Sequence, residues 1–551
     1  MDNYAIAEQF SLLARLMDIH GENPFKSKSY GSAAFALEKL DVEVASMDPA
    51  SIAGIRGIGQ SVAGKVRELI DTGKLAALDE LIAQTPPGVL EMLNIKGLGP
   101  KKINTLWKEL HIDTLTGLQD ACRNGRIAAT KGFGEKTQEK ILQAIQFHKQ
   151  NAGKFLYAQV EAFANAIQAK LEQHFPAAQH ALTGSFRRHC EVVDDLEWVS
   201  TISVKEAKRF FEGEAFTLVS ESNEWVEFLT GEGLGLRLYF SDADNFGATL
   251  FTSTGSEKFL LAWQNAGYET AGPDEERIFQ KAGLAYIPPY LRETDTVLAK
   301  ARNNQLPQPL QVEDIRGLIH AHSNWSDGAH TLGEMARELA RLGFEYLVIS
   351  DHSRSAYYAN GLDETRIRAQ HEEIDALNKK LAPFKIYKSI ECDILADGSM
   401  DYSDSVLAGF DLVIASIHSN LDMPEEKAMM RLMGAITNPH VRIMGHLTGR
   451  LLTRRKGYPV DHHALIDACA AHGVAIEINA NPLRLDMDWR YIEYALEKGL
   501  LLSVNPDAHS FEDIHNLKYG VKAAQKGGLT KERNISSFTR EEFEAFLSKK
   551  R

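Results

Sequence analysis

His320 and His322, with Asp327 close behind in Trp325-Ser326-Asp327-Gly328, open a series of histidine and carboxylate groups able to hold metal ions. Residues i and i+2 of an extended strand share a face, so both imidazoles can reach one ion. Similar groups close later apolar runs: Ser350-Asp351-His352, Ile390-Glu391-Cys392-Asp393, Ser416-Ile417-His418, Met444-Gly445-His446 and Asn505-Pro506-Asp507-Ala508-His509. One further run ends in Glu477-Ile478-Asn479-Ala480-Asn481 without an obvious primary ligand. Imidazole nitrogen and carboxylate oxygen suit Zn²⁺, Mn²⁺ or Fe²⁺. So many donors exceed one coordination shell; a cluster of about two or three ions sharing a bridging carboxylate is the economical arrangement, and it favours attack on phosphorus. Any single histidine here could cap a strand or sit satisfied in a core. An HxH pair, further strand-end histidines and an Asp-x-His together are poorly explained by coincidence.

These groups need elements that bring them together. Short apolar runs at 318–322, 346–351, 386–393, 412–418, 441–446, 474–479 and 500–507 alternate with helical segments, which predicts a parallel α/β barrel with its chemistry at the carboxyl ends of the strands. Ahead of it, 301–313 is polar, contains Pro307 and Pro309, and reads as a linker. Residues 151–300 read as α+β, with a helix over 157–174. Residues 1–150 read as all-α, with Phe10, Leu13, Leu16 and Met17 at helical spacing. At 551 residues, 44% hydrophobic, the chain is too long for a single small binding module. Its four cysteines lack any CxxC spacing, which argues against a disulfide framework and for a reducing, cytoplasmic setting. No run approaches the ~18 apolar residues of a membrane span, and the net charge of -14 restricts any nucleic-acid contact to local surfaces.

Residues 314–525 resemble the polymerase and histidinol phosphatase (PHP) domain, whose order of His-x-His, Asp, His, Glu, two further His and Asp-x-His is met in full. The resemblance implies one ion on His320, His322, Glu391 and Asp507, a second on Glu391, His418 and His446, and a third on Asp327, His352 and His509. Glu391 would bridge. The loop after the fifth run carries Arg450, Arg454 and Arg455 beside this face. Guanidinium forks grip phosphate oxygens at two points, so these are candidates for holding a DNA backbone; a solvated basic loop is the competing reading.

The units Ile55-Arg56-Gly57-Ile58-Gly59, Ile95-Lys96-Gly97-Leu98-Gly99 and Thr130-Lys131-Gly132-Phe133-Gly134 form an internal repeat that resembles the helix-hairpin-helix motif. Glycines allow the tight turn, and the helix that follows offers free N–H groups to DNA phosphates, largely without regard to base sequence. The stretch 23–30 with 57–65 resembles the amino-terminal domain of family X DNA polymerases, in which Lys65 matches the Schiff-base position of members with 5'-deoxyribose-phosphate lyase activity. An ordinary surface lysine is the rival reading, since that chemistry needs a lowered pKa.

Thr183-Gly184-Ser185-Phe186-Arg187-Arg188, followed by Asp194-Asp195-Leu196-Glu197, resembles the family X nucleotidyl-transfer signature. The resemblance implies dNTP contacts from Gly184, Ser185 and Arg188, and Mg²⁺ on Asp195 and Glu197 if polymerase activity is retained. Several positions depart from it. Glu197 stands where Asp is usual, the third carboxylate position falls on Arg237, and Thr252 and Ser253 replace aromatic residues. A slipped register would let Asp242 or Asp244 substitute. Nearly the whole chain thus resembles bacterial PolX proteins: an all-α helix-hairpin-helix region, an α+β nucleotidyltransferase-like palm and, over 314–551, a (β/α)7 PHP barrel. The expectation is a DNA-repair protein acting on gapped, nicked or 3'-recessed DNA, with 3'-5' exonuclease or 3'-phosphatase activity from a Zn²⁺ or Mn²⁺ cluster and polymerase activity weak or lost. An active gap-filling polymerase with a proofreading nuclease, and a phosphatase for small molecules such as histidinol phosphate, are the alternatives.

Overall fold

Capping residues set the limits of the first helices. Asp2 accepts from the Ala5 N–H to start Asn3–His20, and Gly21, at φ 73°, stops it. Asn23 and Pro24 then open Pro24–Glu38. The computed structural model describes residues 1–40, 42–213 and 215–549; positions 41, 214, 550 and 551 of the expected domains lie outside them. The chain divides into two compact units, Met1–Ala152 and Gly153–Arg551.

The first unit is helical, and Phe10, Leu13, Leu16 and Met17 are in its core. The repeat is visible as a repeated turn. N–H groups of Ile58, Leu98 and Phe133 donate to the carbonyls of Ile55, Ile95 and Thr130 at 2.9, 3.0 and 3.1 Å. Gly57, Gly97 and Gly132 hold the left-handed backbone, at φ 98°, 89° and 91°. Gly59, Gly99 and Gly134 are then the N-caps of Gln60–Thr72, Pro100–Asn104 and Glu135–Asn151, none with a side-chain cap.

In the second unit β1 (Phe155–Leu156) pairs with β3 (Val192–Val193). A mixed sheet runs in the order β2 (His180–Thr183), β4 (Asp195–Ser200), β7 (Gly235–Phe240), β6 (Trp225–Thr230), β5 (Phe216–Glu221). Alternation along β4 buries Leu196 and Trp198 and turns Asp195 and Glu197 to the other face. The expected linker begins later than 301, because Ala301 and Arg302 complete the helix Thr296–Arg302. The apolar spacing of Val297, Leu298 and Ala301 carries that helix to its end. Leu310 is buried, and its carbonyl accepts from Gln525 Nε2 at 2.7 Å, so this segment is packed rather than free.

The barrel strands are β8 (Gly317–Ala321), β9 (Tyr346–Ile349), β10 (Lys385–Asp393), β11 (Leu412–Ser416), β12 (Val441–Met444), β13 (Ala475–Asn479) and β14 (Leu502–Asn505), parallel and in sequential order. They read as near-continuous apolar runs because both faces are covered. His322 N–H donates to Ala508 O at 2.8 Å and Ala508 N–H to His320 O at 3.2 Å, joining the first strand to the segment after the last. Among the described residues no helix is long and apolar enough to cross a membrane.

Candidate metal centre

The histidines and carboxylates singled out in the barrel sequence lie at or just beyond strand carboxyl ends, and they converge. Three sets of ligand atoms lie within 4.8 Å of one another: His320, His322 and Glu391; His352, Glu391 and His418; and His322, Asp327, His352 and His509. Asp507 Oδ1 joins the first set, 3.1 Å from His322 Nε2 and 3.5 Å from His320 Nε2. His446 Nε2 joins the second, 2.8 Å from Glu391 Oε1. Glu391 is central, with His418 Nε2 at 3.1 Å from one carboxylate oxygen and His352 Nδ1 at 2.9 Å from the other. Asp327 and His509 are its solvent-facing members, while His320, His322, Glu391 and His446 are buried.

One detail of backbone differs from an even strand. The pairing register shifts between Ile319 and Ala321, and His320 sits there at φ 63°. Asp507, across the closure, is also left-handed at φ 55°. Non-glycine residues held in this region mark places where surrounding structure over-determines the backbone, commonly at functional sites.

The donor chemistry fits bound cations. His320 Nε2, His322 Nδ1, His352 Nδ1 and Glu391 Oε2 are buried without a well-aligned hydrogen bond, His352 Nδ1 and Glu391 Oε2 standing 2.9 Å apart out of hydrogen-bond alignment, although such groups are normally paired. Burial pushes the Glu391 carboxyl up, but the His418, His320 and His352 imidazoles outweigh it and hold the group well below the usual range. Burial, followed by His509 and His352, lowers His322 well below an ordinary histidine, which keeps it in the neutral form that ligates.

Orienting groups were the part missed in the sequence. Glu477, on the run without an obvious ligand, places Oε2 2.6 Å from His320 Nδ1 and accepts from Asn505 Nδ2 at 2.8 Å. Its other oxygen accepts from the His446 N–H at 3.1 Å and Asn479 Nδ2 at 3.0 Å. Asp393 Oδ1 lies 3.2 Å from His418 Nδ1. Each carboxylate fixes the proton on one ring nitrogen and leaves the other nitrogen for an ion. The available signal was Glu477 and Asn479 at strand spacing inside a wholly buried run.

The basic loop is less open than its charge suggested. Arg450 is spent on Arg484 O, Leu485 O and Asp488 Oδ2, and Arg455 on Gly449 O, while Arg454 is exposed. Arg484 comes nearer the centre, 3.7 Å from Asp507 Oδ2.

In the mixed sheet, β4 and β7 align Glu197 with Arg237. The Arg237 guanidinium lies 4.0 Å from Asp195, 3.9 Å from Glu197 and 3.5 Å from Glu227. Asp242 instead accepts from the Asn245 N–H in an exposed loop, beyond the end of β7. Gly184, at φ 64°, has no room for a Cβ because Glu197 leans onto it, and Tyr239 OH donates to Glu197 at 2.8 Å. Arg188, the expected triphosphate contact, is turned to Glu293 and the Thr254 carbonyl; Ser185 Oγ is buried without a partner. Lys65 lies on Gln60–Thr72, 3.8 Å from Glu68.

Comparison with known proteins bears on the helical unit and the barrel. A helix-hairpin-helix domain model matches residues 1–75, a SAM-like helix-hairpin-helix tandem model residues 89–146, and a PHP domain model residues 319–481. The chain is 35% identical over 562 residues to the "DNA polymerase/3'-5' exonuclease PolX" of Bacillus subtilis, covering 98% of each. It is 26% identical over 231 residues to a protein named "Probable phosphatase" from Thermoanaerobacter sp., covering 39% of this chain and 86% of that one. A protein of the same name from Aliivibrio fischeri is 26% identical over 237 residues, with 40% and 88% covered.

Proposed function

The chain belongs to the PolX family, and on that premise we propose that it is a metal-dependent phosphoesterase that shortens DNA from 3' ends at gaps, nicks or recessed termini. The observation that carries this reading is the buried cage of imidazole and carboxylate atoms around Glu391 with lone pairs unanswered by the protein. His320, His322, Glu391 and Asp507 would hold one ion, Glu391, His418 and His446 a second, and Asp327, His352 and His509 a third, with Mn²⁺ or Zn²⁺ as the ions. When bound, such ions supply charge neutralisation at phosphate oxygens and a nucleophile near neutral pH. The chain's own residues prepare for that: Glu477 and Asp393 hold protons on the outer nitrogens of His320 and His418, and Asp327 and His509 mark the side from which substrate enters.

The domains we assign are a DNA-binding region at 1–150, a palm at 151–300 and the phosphoesterase barrel from 314 onward. DNA backbone would be held at the three uncapped helix starts after Gly59, Gly99 and Gly134. Polymerase activity is weak or lost, because Arg237 already answers the carboxylates that Mg²⁺ would need. The similarity of the barrel to proteins named as phosphatases supports a second reading, hydrolysis of small phosphomonoesters. The test is H320A/H322A: nuclease activity on a 3'-recessed duplex should vanish while DNA binding persists, and retained cleavage would refute the assignment. Faster turnover of histidinol phosphate than of the duplex by the unaltered protein would favour the second reading.

A further inference from the structure

The segment that leaves β9 through the candidate ligand His352 carries two large aromatic side chains in solvent, Tyr357 at 86% exposure and Tyr358 at 65%. They are not on a loose loop. Ser355 N–H and Oγ donate to Asp401 at 2.7 and 2.5 Å, the Arg354 N–H donates to Tyr402 OH at 3.1 Å, and the Leu362 N–H returns to His352 O at 2.8 Å. Asn360, left-handed at φ 55°, donates to Trp325 O at 3.3 Å, and Arg366 donates to Asn360 O at 2.6 Å. Ala356 and Ala359, flanking the pair, are buried. The rings stand edge to face, with centroids 6.1 Å apart. The loop opens from His352, and its anchor Trp325 stands two residues before Asp327, so both ends of the aromatic pair are tied to the solvent-facing side of the ligand cluster.

We propose that Tyr357 and Tyr358 form a stacking platform for the unpaired terminal base of a DNA 3' end, at the mouth of the ligand-lined pocket. The inference rests on the reading of the barrel as a DNA phosphoesterase and names what selects its substrate. The innermost ligands are buried, so the terminal nucleotide must leave its duplex stack to bring its phosphate to them, and the freed base then needs an apolar surface. A rigid aromatic pair supplies one without reading base identity, since every base has a π face. Pinning the loop keeps the rings from folding onto the core and removes an ordering cost on binding.

The experiment uses the full-length chain, with Y357A/Y358A and Y357F/Y358F variants. Single-stranded oligonucleotides ending in a normal or an abasic 3' nucleotide are compared with Mn²⁺ present, and the readout is the ratio of their KM values. The unaltered protein and the Phe variant should bind the base-ended substrate roughly tenfold to a hundredfold better, and in the Ala variant the ratio should fall to near one. With metal chelated, an oligonucleotide carrying 3'-terminal 2-aminopurine should be quenched on binding by the unaltered and Phe proteins and remain bright with the Ala variant. An unchanged KM ratio and unchanged quenching in Y357A/Y358A would overturn the platform while leaving the nuclease reading intact. If the unaltered protein cleaves neither oligonucleotide yet hydrolyses histidinol phosphate, the DNA reading fails, and the platform falls with it if quenching is also absent.

Discussion

Glu477→Gln isolates the contribution of a residue that touches no ion in the proposed scheme. Its two oxygens face four donors: the His446 N–H and Asn479 Nδ2 on one, His320 Nδ1 and Asn505 Nδ2 on the other. A glutamine must turn its NH₂ toward one of these pairs. The His446 backbone N–H cannot reverse its role, so the NH₂ goes to the side of His320 and Asn505. Asn505 can flip its amide, and His320 can accept at Nδ1 only by moving its proton to Nε2, the nitrogen that now has no partner. That tautomer cannot ligate. Loss of such an orienting carboxylate weakens metal binding on the order of 10–100-fold, which is about 1.4–2.8 kcal/mol at tenfold per 1.4 kcal/mol. Calorimetric titration of Mn²⁺ into the metal-free variant reads this directly, and nuclease activity should recover as Mn²⁺ is raised. Unaltered Mn²⁺ affinity, or lost activity that excess Mn²⁺ does not restore, would refute the orienting role.

Three further outcomes follow from the palm and the glycine turns. Arg237→Asp should create Mg²⁺ binding beside Asp195 and Glu197, measurable by calorimetry; the unaltered palm should bind none, and robust Mg²⁺-dependent primer extension by it would contradict the arrangement. Burial, then the Asp195 charge, raises Glu197 from 4.5 to about 7, so the folded state holds an extra proton between those values and stability falls as pH rises through that window, by about 3 kcal/mol at most. Glu197→Gln keeps an acceptor for Tyr239 and should melt higher than the unaltered protein at pH 8, with the gap closing near pH 4.5. Gly97→Ala meets open space but a left-handed backbone at φ 89°, so it should cost roughly 1–2 kcal/mol and lower DNA affinity most at low salt; an unaffected melting curve and affinity would show that the turn is not needed.

Most of the barrel was legible because buried parallel strands are written as contiguous apolar runs, and the chemistry lies where each run ends. The run at 412–418 illustrates this: β11 is Leu412–Ser416 and His418 projects just beyond it. Side-chain partnerships across the barrel were not legible. Glu477 and His320 are 157 positions apart, and nothing local distinguishes an orienting carboxylate from a buried structural one. The loop arginines show the converse. Charge is visible in sequence, but the inward turn that commits Arg450 to the Arg484 and Leu485 carbonyls depends on a neighbouring loop. The position of Arg237 on the strand before Phe246 was legible, with Asp242 and Asp244 as the slipped alternatives; its pairing with Glu197 across β4 and β7 was not. The left-handed turn at His320 was not, because a bulge at a barrel seam is imposed by closure.

Two carboxylate clusters among the described residues are suited by residue type to phosphate chemistry, and their polar accounting differs. In the palm each acidic group has an internal answer: Arg237 stands near Asp195, Glu197 and Glu227, and Tyr239 donates to Glu197. A divalent ion there would have to displace the Arg237 guanidinium, which stands 4.0 Å from Asp195 and 3.9 Å from Glu197. In the barrel the outer nitrogens of His320 and His418 are held by Glu477 and Asp393, while inner atoms of His320, His322, His352 and Glu391 are left without hydrogen bonds. Leaving several such groups unpaired in a buried site costs about 1–3 kcal/mol each, and a fold that makes this arrangement is more stable with cations than without. Metal binding should accordingly raise the unfolding temperature through the barrel, by RT ln(1 + [L]/Kd), while a Mg²⁺ titration of the palm should not.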